Sequence, residues 1–439
     1  MPPLASLPAD HGERFALANE VHARPPEAVE APTRASYLAI TFEAHERDGE
    51  LAHVAALCER FHVAPPAPNA THFSAALGST LRFKWERHGE FSGYTFFAAG
   101  ADATPFESTA LGAIPAAWLG AIPGRTMVAA HGLLTAAGEG VPTPARMMAD
   151  YFAGNVAIGA EISGGDALAF TDFRIHDDGC ARFVLLDRAM GPRQAGRLLQ
   201  RLFELEAYRM MALLALPIAR RQGPRVQAIE RALAALTDDM AIAGDRDEKL
   251  LSELSRLAAE IESGLAASSF RFGAARAYHD LVTSRIDELG ERPIAGYQSI
   301  GEFMNRRLAP AMSTCTAVSR RLHGLSERVA RASALLSTRV DIARERQNQT
   351  LLASMDRRAR LQLRLQQTVE GLSIAAITYY VAGIVGYFTK ALKAAGLPIN
   401  PDLAVGLAIP LIVAAVALGL RIMKRRAVGT STVDLRDVL

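Results

Sequence analysis

The run Asn19-Glu20-Val21-His22-Ala23-Arg24-Pro25-Pro26-Glu27 gathers more reactive groups than any other short segment of the chain. Glu20, His22 and Arg24 alternate with small residues, so an extended backbone puts all three on one face, with Asn19 at its edge. Such a strip offers an acid, a base and an anion-binding cation side by side. It serves equally well as a polar segment tied to its own domain by salt bridges. Elsewhere the chemistry thins out. Eleven histidines include no HxH or HExxH spacing, and His279 falls on the inner stripe of a long helix, where a core histidine is the simpler reading. Cys58, Cys180 and Cys315 form no CxxC pair, which argues against a zinc knuckle or a disulfide framework. The pairs Asp177-Asp178 and Asp238-Asp239 sit at a turn and near a helix end, where acids are common. There is no GxSxG, P-loop or Rossmann fingerprint, so the chain reads as a non-enzyme without cofactor or metal.

Two uncharged apolar runs dominate the C-terminal part. Leu372–Thr389 reads LSIAAITYYVAGIVGYFT, and Leu403–Leu420 reads LAVGLAIPLIVAAVALGL. As helices each is roughly 27 Å long at ~1.5 Å per residue, close to the hydrocarbon thickness of a bilayer. Ser373, Ala376, Gly383 and Gly386 are small enough to let helices approach closely. Cations flank the pair: Arg357, Arg358, Arg360 and Arg364 before it, and Arg421, Lys424, Arg425 and Arg426 after it. The positive-inside rule then places both termini in the cytoplasm and the short connection outside. The N-terminus has no apolar core of signal-peptide length, in keeping with a cytoplasmic soluble part. With 48 Lys and Arg against 46 Asp and Glu, no basic surface calls for nucleic acid, and the bilayer is the expected partner.

Positioning these features takes two textures of soluble chain. Residues 34–190 read as α/β: a strand at Arg34–Phe42, a helix at Glu50–Phe61, a hairpin in Thr80–Ala98, a strand at Thr126–Leu134, and a second hairpin around His176-Asp177-Asp178-Gly179. A mixed sheet of about five to seven strands follows. Residues 191–371 read as long antiparallel helices, with Pro217 closing the first and Pro224 opening the second. A third runs from Asp247 to Leu289 with a 3-4 apolar spacing suited to lengthwise packing. The last starts near Gln298 and meets no strong breaker before the first span. The expected layout is therefore an N-terminal extended segment (1–33), an α/β domain (34–190), a helix bundle (191–371), a first span (372–389), an outside loop (390–402), a second span (403–420) and a basic tail (421–439).

Three runs carry a resemblance across most of the chain: LANEVHARP at Leu17–Pro25, EFMNRRLAPAMSTC at Glu302–Cys315, and QQTVEGLSIAAITYYVAGIVGY at Gln366–Tyr387. Together they resemble a bacterial family of uncharacterised membrane-anchored proteins, which implies anchoring and no activity. The layout, and Ala382-Gly383-Ile384-Val385-Gly386 locally, also resemble CorA-type cation channels. That resemblance implies a homo-oligomer, a pentamer, in the bacterial inner membrane. Its first span would line a pore, Gly386, Tyr387 and Phe388 would form the outer constriction, and Thr378 would offer a hydroxyl to a passing ion. The family's Gly-Met-Asn signature is absent, since Tyr387-Phe388 follows Gly386. Two functions are therefore expected: a CorA-like ion channel without the usual selectivity signature, or a membrane-anchored interaction or sensory module.

Overall fold

Alternating apolar and polar residues build the sheet. In the computed structural model, which describes residues 10–429 apart from 16, 19–24, 44, 243–245, 397 and 399, with backbone alone beyond 422, the chain divides into two compact units, Met1–Ala334 and Leu335–Leu439.

The first unit holds β1 (Thr33–Thr41), β2 (His72–Ala76), β3 (Leu81–Arg87), β4 (Phe91–Ala99), β5 (Arg125–Ala136), β6 (Ile158–Ile162), β7 (Ala167–Thr171), β8 (Ala181–Asp187) and β9 (Arg292–Pro293). They form one nine-stranded sheet in the order β2-β3-β4-β1-β5-β8-β7-β6-β9. Every named pairing is antiparallel except β5 with β8. The sheet is larger than the sequence pattern suggests because β2 is a half-exposed edge strand and β9 only two residues long. Neither offers an apolar run to detect.

One face of the sheet packs on α1 (Glu50–Arg60), whose Val54, Leu57 and Cys58 meet Leu38, Ile40, Phe83, Trp85, Tyr94 and Phe96. Trp118 from α2 (Ala116–Gly120) closes that core and donates to the His53 carbonyl at 2.9 Å. A second core lies farther along the sheet, where Met147 of α3 (Pro144–Asp150) and Phe152 meet Leu168, Phe170, Val184 and Leu186. On the opposite face, Phe203 of α4 (Pro192–Leu213) stacks on Tyr37 at 5.3 Å. A strap at Pro25–Pro32 reaches α4 where Gly196 leaves room, with Val29 N–H donating to the Pro192 carbonyl at 3.0 Å.

The helical part continues with α5 (Ala215–Ala241), α6 (Asp247–Leu289), α7 (Ile300–Arg307), α8 (Ala309–Ala394) and α9 (Pro401–Gly429). Helices α4 and α6 run antiparallel: Arg201 pairs with Glu288 at 2.9 Å, Glu204 with Arg285, and Tyr208 stacks on Tyr278. The two prolines correct the sequence reading. Pro217 lies in the first turn of α5 rather than after the end of α4, because a first-turn residue needs no intrahelical N–H partner. Pro224 lies inside α5 instead of opening it. Gly290, left-handed at φ 58°, ends α6. A capping box of Ser299 and Glu302 starts α7.

In the second unit, α8 continues to Ala394 and α9 begins at Pro401, so helix extends at both ends into the segment 390–402. Both helices are long and apolar enough to cross a membrane, and their apolar stretches are unburied within the chain.

Candidate functional sites

The two apolar helices approach each other near their connection. Gly386 lies against Val405: a Cβ there would stand 3.5 Å from the valine methyl, an ordinary contact. A cleft of about 640 Å³ opens beside it, lined by Tyr379, Gly383, Tyr387, Lys390, Asp402 and Val405. Tyr387 and Phe388 are largely exposed, and Gly383 faces open space. Ser373 and Thr389 return their hydroxyls to carbonyls of their own helix, at Val369 (2.8 Å) and Val385 (2.9 Å). Thr378 Oγ1 is enclosed and finds no hydrogen-bond partner among the described residues. Ala376 is exposed on α8. Of the cations before the first span, Arg360 pairs with Asp356 at 2.6 Å, and Arg357, Arg358 and Arg364 are exposed. Lys424, Arg425 and Arg426 belong to α9 by backbone. Asn19, Glu20, His22 and Arg24 lie outside the described residues. The strap after them is fastened by Glu27, whose carboxylate pairs with Arg82 at 2.6 Å.

In the first unit, His279 is half-buried rather than part of a closed core. It lines a cleft of about 350 Å³ with Arg276, Asp280, Met312, Cys315 and Arg320.

A buried polar constellation sits between the two cores of the sheet. Ser36 on β1 is directly opposite His131 on β5, and His131 is level with Arg182 on β8. Ser36 Oγ lies 2.8 Å from His131 Nδ1, and both residues are buried. On the other side of the ring, His131 Nε2 faces Asp178 Oδ2 at 3.9 Å. Cys180, at the start of β8, completes a group in which one ligand atom from each of His131, Asp178 and Cys180 lies within 4.8 Å of the others. Burial pushes the His131 imidazole down to about 4, against a smaller upward pull from Asp178. Burial, helped by Asp178, pushes the Cys180 thiol up to about 11. The ring is therefore neutral at pH 7, with a lone pair to offer, and the thiol keeps its proton until something displaces it. Asp177-Asp178 was legible as a turn, but the partnership was not: positions 36, 131 and 180 meet only because β1, β5 and β8 are neighbours.

The family model described as "Protein of unknown function (DUF3422)" matches residues 9–427, and the chain belongs to that family. No curated protein and no solved structure matches it significantly.

Proposed function

We propose that this member of the DUF3422 family is a bilayer-anchored homo-oligomer of CorA-like layout. Both termini lie in the cytoplasm of the bacterial inner membrane, and the first span lines an ion path. The observation that carries the reading is the exposure of α8. From Asp341 through Val369 every residue is exposed within the chain, including Leu351, Leu352, Met355, Leu361, Leu363 and Leu365. Burying one such side chain is worth roughly 1.5–3 kcal/mol, so a helix presenting them to water is strongly driven to associate. Copies of the same helix are the natural partner, because α8 continues without a break into the apolar stretch that enters the membrane. The small residues of the span favour close packing there as well.

One observation favours the second reading, a tethered interaction module. The position of the CorA signature holds Tyr387-Phe388, and Lys390 and Lys393 follow, which does not help concentrate cations. The mass of the detergent-purified protein, with bound detergent subtracted, separates the two. The channel reading expects a closed ring of about five subunits, ion flux in liposomes, and a changed flux in Tyr387→Ala and Phe388→Ala. A monomer or dimer that persists across several mild detergents sinks it, since two spans per subunit cannot enclose a path, and leaves the tethered module.

A further inference from the structure

The cluster around His131 has the composition and spacing of a metal site and stands independently of any membrane role. Imidazole, thiolate and carboxylate are the three donor types that hold zinc, and a thiolate among them selects against magnesium and calcium. With metal–ligand bonds of about 2.0–2.3 Å, tetrahedral geometry puts donor atoms roughly 3.3–3.6 Å apart. The observed 3.9 Å between His131 and Asp178, and the common limit of 4.8 Å, need only small side-chain adjustments to reach that.

Its surroundings prepare these donors. Ser36 occupies Nδ1 of His131, which fixes the ring and turns Nε2 toward the other two, the arrangement expected of a ligating histidine. The loop that brings Asp178 and Cys180 is fastened at several points. Cys180 N–H donates to Asp178 Oδ1 at 2.9 Å, and His176 N–H donates to the Cys180 carbonyl at 3.0 Å. Asp172 lies 2.9 Å from the His176 ring and accepts from Asn155 at 2.9 Å. Arg182 donates to the Tyr151 carbonyl at 3.1 Å, its guanidinium lies over the Phe106 ring, and it pairs with Asp178 at 3.7 Å, a contact a bound metal would compete with. His131 and Cys180 are buried while the Asp178 side chain reaches solvent, so the cluster lies at the surface end of a buried pair.

We propose that His131 Nε2, Cys180 Sγ and the Asp178 carboxylate bind one divalent transition-metal ion of the zinc class. The thiol proton leaves to solvent as the sulfur–metal bond forms. The alternative is a plain structural cluster, with Asp178 shared between His131 and Arg182 beside an inert thiol.

Cobalt(II) reports on the difference, because a thiolate ligand gives it an intense near-ultraviolet charge-transfer band. Full-length protein, chelator-treated in detergent, should take up one equivalent of cobalt with that band. Cys180→Ser should abolish the band, while Cys58→Ser and Cys315→Ser keep it. Asp178→Asn, which keeps a side-chain oxygen for the Cys180 N–H, should weaken cobalt binding at least ten-fold with tryptophan fluorescence unchanged. Absence of the band in the wild type at saturating cobalt overturns the proposal, as does its survival in Cys180→Ser. Unchanged affinity in Asp178→Asn overturns the three-ligand site.

Discussion

Glu50 opens α1 and is buried at 1% exposure, a costly place for a carboxylate unless its oxygens are fully used. They are. Oε1 accepts from Trp85 Nε1 at 2.9 Å and from the Tyr94 hydroxyl at 3.0 Å. Oε2 accepts from Arg87 Nε at 3.1 Å and lies 3.0 Å from its Nη2. Glu50→Ala removes all of these at once. Two buried donors then lack an acceptor, at about 1–3 kcal/mol each, and Arg87 loses its counter-charge. Breaking a buried pair from one side costs about 3–5 kcal/mol, and because these costs overlap the expected total is about 4 kcal/mol. Tyr94→Phe removes one of the bonds and leaves the carboxylate its others, so it should cost about 1 kcal/mol. Glu50→Gln keeps an oxygen for Trp85 and Tyr94 but turns an amide donor toward Arg87, and belongs between them at about 2 kcal/mol.

The two tryptophans of the chain, Trp85 and Trp118, both lie in this core, so fluorescence-detected urea unfolding of the detergent-solubilised protein reads its stability directly. A loss below about 1 kcal/mol in Glu50→Ala refutes the claim that this carboxylate organises the core. So does a Tyr94→Phe loss equal to that of Glu50→Ala, which would mean that the tyrosine alone mattered.

Gly196→Ala should dislodge the Pro25–Pro32 strap, since a Cβ there would overlap the Glu27 carbonyl oxygen. A destabilisation of about 2 kcal/mol and new protease cleavage within the strap are expected, and an unchanged digest refutes the contact. The Glu230–Arg321 pair, bonded at 2.8 and 2.6 Å, holds the Glu230 carboxyl below its ordinary value, chiefly through the Arg321 hydrogen bond. Its coupling should be present above the ordinary carboxylate value and disappear as pH falls through the lowered one. A double-mutant cycle should read about 0.5–1 kcal/mol at neutral pH and none in strong acid, and equal coupling at both would refute it. Replacing Leu361 and Leu365 together by Asn should shift the detergent-phase mass toward smaller species while the protein stays in the membrane fraction. An unchanged mass removes that stretch of α8 from any assembly.

Local signals were legible wherever one segment carries its own pattern. Leu81, Phe83 and Trp85 alternate with Arg82, Lys84 and Glu86, and β3 and β4 pair as that alternation requires. The Asp178-Gly179 turn joins β7 to β8, and the third long helix has the bounds its caps imply. Pro217 misled because the first turn of a helix forgives what its interior resists, so it marked a start where it was read as a stop, whereas Pro224 sits within α5, where local preference alone argues for a boundary. The His131 cluster was illegible for a different reason. No spacing links residue 131 to 178 and 180; the link is the parallel register of β5 and β8 that sets His131 beside Arg182. Long-range strand pairing leaves no periodic trace in any single segment.

The two exposed stretches of the second unit call for different solvents. From Leu372 to Thr389 no charge interrupts the helix, which is long and apolar enough to cross a membrane. Between Asp341 and Val369 leucines alternate with Arg344, Arg346, Arg357, Arg358, Arg360 and Arg364. Lipid would reject those guanidinium groups, and water alone would leave the leucines uncovered. A protein partner suits both, because leucines can pack against it while the long arginine stems carry their charged heads out to water. On the proposed reading a second copy of the chain is that partner, with matching leucine positions and its adjoining span held in the same membrane. Confinement in a membrane raises the effective concentration of one helix for another, which makes modest contact energies sufficient for assembly.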